Sequence, residues 1–179
     1  MNAMNSLVWL LPIIFMLHDF EEIIMAEIWS KRYKKKIDMT WPKMKPFALN
    51  YVHICQTPTF SIGVEIEFLI FSLISLLSVI FDSYFIWYGA FLGLALHMLF
   101  LHIGLCISFK KYVPGIITSI IFLPVSIFLL IKAEGLLSYG IGTILLGFLL
   151  GIALIIIMIP ALHRFMGPCS NLLDNYSKA

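Results

Sequence analysis

Charge is scarce in this sequence. Only 12% of its 179 residues are Asp, Glu, Lys or Arg, against roughly a quarter in an ordinary soluble domain. With 61% hydrophobic residues, the chain has more apolar side chains than one small aqueous core can bury, which excludes a soluble globular fold. The net charge of +2 is too small for a nucleic-acid partner. Cysteine is equally sparse: Cys55, Cys106 and Cys169 form no CxxC pair. That excludes a disulfide framework and a structural zinc knuckle, and leaves them as small packing residues. No Lys or Arg precedes Lys31, and acids interrupt the first apolar run before any small-residue cleavage site. The expectation is therefore a retained first span rather than a cleaved secretory signal.

The apolar residues are gathered into five segments, near 5–28, 60–80, 84–108, 113–132 and 138–162. Each is long enough to cross about 30 Å of hydrocarbon at about 1.5 Å per residue. The expected fold is an all-α polytopic membrane bundle of about five transmembrane helices, forming a single domain. Asp82–Ser83 and Lys132–Ser138 read as tight turns, and Lys110–Lys111–Tyr112 before Pro114–Gly115 marks a further break.

Segment 29–59 holds seven of the twelve basic residues. Lys110, Lys111, Arg164 and Lys178 fall on the same side of an alternating path, and only Lys132 falls opposite. The positive-inside rule then puts the N-terminus outside and the C-terminus in the cytoplasm. Trp29 and Trp41 favour a basic segment lying along the cytoplasmic membrane surface, in contact with lipid headgroups. Gly89, Gly93 and Gly104 form one stripe, and Gly140, Gly147 and Gly151 another. Such stripes allow close helix approach and a homodimer.

Within these greasy segments stand ionisable residues sorted by depth. His18, Glu21 and Glu22 occupy the lower half of the first span, Glu65 and Glu67 the first turns of the second, and His97 and His102 the third. His18, Glu21 and Glu22 share a helical face, while Asp19 points elsewhere. Glu27 sits near enough to the interface to be solvated. Glu65 shares a stripe with Ser61, Ser72 and Ser75, so phase favours it over Glu67 as the inward acid. His97 and His102 lie about 140° apart on a regular helix, and converge only if the ligand lies between their faces or the helix is distorted. Intramembrane carboxylates are costly unless paired, hydrated or neutralised, and a divalent metal relieves both their burial and their mutual repulsion. Zinc or non-haem iron suits this donor set. The first choice of ligands is His18, Glu22, Glu65 and His97, with Glu67 and His102 as alternatives and Glu21 as the candidate base. His53 and His163 read as interfacial residues.

"HDFEE" at 18–22 resembles the signature of the HXXEE family of small bacterial integral membrane proteins. The resemblance runs on through "EIE" in the second span, "HMLFLH" in the third, and "KKYVPG" followed by Thr118. It implicates His18, Glu21 and Glu22, and with them Glu67, His97 and His102. It implies a fold and a place in the membrane without implying a reaction.

Four functions compete. An intramembrane metal-dependent hydrolase or oxidoreductase would use the metal to activate water for a lipophilic or membrane-embedded substrate. The loose likeness to CAAX-type intramembrane proteases lacks their arginine after the paired Glu, and the His-box repeats of membrane desaturases are absent. A metal-free Glu/His isomerase would use the same groups to move protons. A proton or cation transporter is opposed by the lack of inverted repeats and of a polar outer half. A non-catalytic membrane subunit would find these acids dispensable.

Overall fold

A computed structural model describes residues 3–40 and 55–178, and every regular element among them is helical. In chain order these are α1 (Ala3–Leu7), α2 (Leu10–Thr40), α3 (Thr57–Ile80), α4 (Phe85–Leu96), a π-helical segment (His97–Ile103), α5 (Gly104–Phe109), α6 (Ile116–Leu137) and α7 (Ile141–Lys178). Four rods, Thr57–Ile80, Phe85–Phe109, Ile116–Leu137 and Ile141–Tyr176, are long and apolar enough to cross a membrane. The first apolar stretch, carried by α1 and α2, is set apart from them by its acids. Leu69, Ile120, Phe128 and Ile156 are among many large apolar side chains left exposed on the outside, as lipid-facing surfaces require. The all-α membrane bundle expected from the sequence is what forms.

The first helix breaks where chemistry demands it. Pro12 has no N–H to offer the Val8 carbonyl four residues earlier, so the ladder fails between α1 and α2. The Val8 oxygen is instead bonded by Ser75 Oγ and Trp87 Nε1, each at 2.8 Å. A buried backbone acceptor left bare in hydrocarbon would be costly, and its two donors tie α2 to α3 and α4. Around this point Val8, Leu11, Phe71, Trp87 and Phe91 form the centre of the apolar core.

Several boundaries differ from the sequence reading. The helix expected to end near 28 continues to Thr40, with a local departure from helical geometry at Tyr33. Trp29, expected at the interface, is buried and donates Nε1 to the Tyr112 carbonyl at 2.7 Å. Lys36 lies over the Phe109 ring and caps the Phe109 carbonyl at the end of α5, a favourable place for a cation. Glu27 is not simply solvated: it accepts the Thr57 N–H at 2.8 Å, at the start of α3, and pairs with Lys31. Trp41, Lys43, Lys45 and His53 lie outside the described residues. Helix α6 runs through Lys132 to Leu137 and reverses at Ser138, since a lysine in a helix's last turns can keep its ammonium in water. Helix α7 likewise continues past 162 to Lys178.

The glycine stripes serve a crossing within the chain. A Cβ on Gly151 would lie 2.7 Å from Gly93 N and 2.8 Å from Gly89 O, so α4 and α7 touch backbone to backbone. Gly147 meets Tyr88 and Leu92, whereas Gly104 and Gly140 face open space. Four of the six glycines on which a dimer was expected are thus occupied inside one chain.

Candidate functional site

Two elements bring four donors to one point. His18 and Glu22 stand one turn apart on α2, and His97 and His102 bracket the π-helical segment. One ligand atom from each of the four lies within 4.8 Å of all the others. Glu22 Oε1 is 3.0 Å from His102 Nε2, 3.5 Å from His18 Nε2 and 3.9 Å from His97 Nε2. His97 Nε2 and His102 Nε2 are 2.8 Å apart. On a regular helix these two histidines would diverge. The wider π turn, with hydrogen bonds between residues five apart, brings residue i+5 back beneath residue i. The distortion the sequence reading required is present, over His97–Ile103.

The surroundings fix which ring nitrogens face inward. Thr118 Oγ1 gives its single proton to Glu21 Oε2 at 2.7 Å, so at 2.9 Å it can only accept from His18 Nδ1. His18 is therefore the Nδ1–H tautomer, with the Nε2 lone pair turned to the cluster. His102 Nδ1 donates to the Pro114 carbonyl at 2.9 Å, which turns its Nε2 towards His97 Nε2 and Glu22 Oε1. His18 is fully buried and its Nε2 makes no hydrogen bond, while Glu22 Oε1 has the three imidazole Nε2 atoms around it. Lone pairs and a carboxylate oxygen thus face one another in an apolar interior, an arrangement that needs a shared positive charge. Ligands at about 2.0–2.1 Å from a tetrahedral metal are about 3.3 Å from each other. Four of the six donor separations, 2.8, 3.0, 3.5 and 3.9 Å, scatter about that value and all six lie within 4.8 Å, so the cluster has the size that a single metal ion requires.

Glu21, the expected base, is not on the cavity wall. Its carboxylate accepts from Tyr112 Oη at 2.7 Å, Thr118 N at 2.8 Å and Thr118 Oγ1, with a longer contact from Ile117 N. Tyr112, in the link between spans, is held protonated beyond the usual tyrosine range by burial and by this bond to Glu21. The chain Glu21–Thr118–His18 orients the His18 ring, an arrangement similar to the carboxylate–histidine pairs found around metals.

A cavity of about 160 Å³ opens beside the cluster, with Glu22, His97 and His102 on its wall. Asp19 and Glu67 line it too, although helical phase had turned Asp19 elsewhere and favoured Glu65. Glu65 is exposed and does not join the four. The serine stripe misled because Ser61 bonds back to the Thr57 carbonyl in its own helix, a bond available on any face. The buried stripe of α3 is Gly63, Val64, Phe71, Ser75 and Ser78, and Glu67 falls in its period. His163, expected at the interface, also reaches the cavity.

Sequence reasoning missed Gly115 as a site residue. Its φ is +84°, and a Cβ there would lie 2.5 Å from His102 Nδ1 and Cε1 and 3.1 Å from Glu22 Oε1. Only glycine allows both the backbone turn and the approach of the cluster. The Pro-Gly pair in "YVPG" was its visible signal, read there as a break and as part of the family resemblance but not as a site residue.

Fold and site together define a helical membrane protein with a buried His/Glu cluster beside an apolar cavity. The chain belongs to the HXXEE family, described as proteins of unknown function with an HXXEE motif, whose family profile matches residues 9–129. His18, Glu21 and Glu22 are the motif itself, and the matched region also contains His97, His102, Gly115 and Thr118. No curated protein and no solved structure matches the chain.

Proposed function

We propose that this protein is an intramembrane metal-dependent enzyme acting on a lipophilic or membrane-embedded substrate. His18, Glu22, His97 and His102 hold zinc or non-haem iron in this reading. The observation that carries it is the set of inward-facing donors, His18 Nε2, His102 Nε2 and Glu22 Oε1, with the two imidazole tautomers fixed from outside by Thr118 and Pro114. When bound, the metal would supply Lewis acidity and, with its coordination expanded beyond the four protein donors, would lower the pKa of a coordinated water. The chain's own residues do the rest. Glu21 acts as a positioning residue through Thr118, and the apolar cavity wall admits a lipophilic substrate while keeping bulk water out. The excess of basic residues on one side of the alternating path supports reading the protein as a multi-pass component of the bacterial cytoplasmic membrane, with this site in its cytoplasmic half.

Elemental analysis of protein purified in detergent without chelators tests the metal. About one zinc or iron per chain is expected, lost in His18→Ala and in Glu22→Ala. Absence of metal from the wild type would overturn the reading. It would favour metal-free acid–base chemistry on the same residues, in which the 2.8 Å contact between His97 and His102 is a shared-proton hydrogen bond.

A further inference from the structure

The cavity is rich in acids. Among the described residues its wall carries three carboxyl groups, Asp19, Glu22 and Glu67, and no Lys or Arg; its three histidines are His97 and His102, which face Glu22, and His163. Glu22 belongs to the His/Glu cluster. Asp19 and Glu67 come from two different helices, α2 and α3, and no hydrogen bond or salt bridge to either is present among the described residues. Asp19 is 5% exposed, and what it faces is the cavity. The two acids and Glu22 lie within electrostatic reach of one another. A carboxyl group in a low-dielectric interior either keeps its proton or is met by something positive, and a protonated one can pass its proton to a base that enters. One divalent ion at the cluster would offset Glu22 and leave two acids without a counter-charge.

Most of the remaining wall is apolar and aromatic. Phe15, Phe60, Phe71 and Trp29 line it beside aliphatic residues of α4 and α7. Such a surface accepts a hydrocarbon body, and its rings favour a neighbouring cation. We propose that the cavity binds an amphiphilic cation: an apolar molecule whose protonated amine or quaternary ammonium sits between Asp19 and Glu67. This inference rests on the reading of the His/Glu cluster as a functional site and names the substrate class that the adjoining cavity selects. An anionic lipid or a fatty acid would meet three carboxyl groups there and be repelled.

The test compares three probes of one chain length, dodecylamine, dodecanol and dodecanoate. Binding is read by Trp fluorescence on full-length protein in nanodiscs of zwitterionic lipid, with empty discs as reference. The amine is expected to bind about tenfold more tightly than the alcohol, since charge-assisted hydrogen bonds to a buried acid exceed neutral ones, with the acid weakest. Asp19→Asn and Glu67→Gln should each remove most of that preference while retaining the metal content of the wild type. Equal binding of amine and alcohol by the wild-type protein would overturn the proposal without recourse to any variant. So would a second equivalent of metal that disappears in Asp19→Asn, because the counter-charge would then be an ion. The two readings fail separately. Amine preference that persists in a metal-free His18→Ala protein supports the cavity assignment, whereas the metal reading stands or falls on elemental content alone.

Discussion

Replacing Gly115 with alanine should dismantle the site from outside the set of ligands. The residue sits at φ +84°, a region that costs an L-residue roughly 1–2 kcal/mol. The new Cβ would stand 2.5 Å from two atoms of the His102 ring, whereas carbon contacts are comfortable at about 3.5–4.0 Å. The ring must retreat by about 1 Å, which takes Nδ1 out of reach of the Pro114 carbonyl it now bonds at 2.9 Å. Losing a buried hydrogen bond of this kind costs a further ~1–3 kcal/mol. The sum, about 2–5 kcal/mol, should appear as a lowered apparent melting temperature in detergent. Loss of an orienting contact to a ligand histidine should also weaken metal binding about 10–100-fold. Gly104→Ala is the internal control. That glycine is helical, and a Cβ added to it would have no neighbour within 4 Å, so the substitution should be neutral or stabilising by up to about 1 kcal/mol. A Gly115→Ala protein with wild-type metal content and melting temperature would refute the packing argument.

Two further outcomes follow from contacts around the motif. Thr118→Val keeps the side chain's shape but removes the oxygen shared by His18 Nδ1 and Glu21. Metal affinity should fall about 10–100-fold with the helices intact by circular dichroism, and an unchanged affinity would remove Thr118 from the site. Tyr112, raised by burial and its bond to Glu21, should titrate above the ordinary tyrosine value of about 10. Its folded pKa exceeds the unfolded one, so its contribution to stability is complete below about pH 10 and is lost as the pH rises through the folded value. Spectroscopic titration of phenolate absorbance checks this, because Tyr112→Phe should delete a late alkaline step; loss of an early one would contradict the assignment.

Much of the site was legible one helix at a time. His18 and Glu22 are four residues apart, so a helix alone puts them on one face, and their contact follows at 3.5 Å. Glu65 and Glu67 were harder, because phase ranks faces without saying which face meets a neighbour. The serines used to decide can satisfy their hydroxyls within their own helix, as Ser61 does. Glycine stripes announced a close crossing, but a sequence carries no mark that tells α7 of the same chain from a second copy.

The sequence by itself determined the solvent, the helices and the chemistry of the donors. Apolar runs of this length have to cross a bilayer as helices, since lipid offers backbone groups no partner, and Pro12 sets the break in the first of them. Only the tertiary structure decided which donors meet. The π turn brings His97 and His102 together, although their spacing alone would part them. Gly115 gives the His102 ring and Glu22 room, and Thr118 and Pro114, from the turn that enters α6, hold the outer nitrogens of two imidazoles. These are contacts between segments as much as 100 residues apart. Local periodicity is blind to them, because it describes one helix and the site is made where three elements touch.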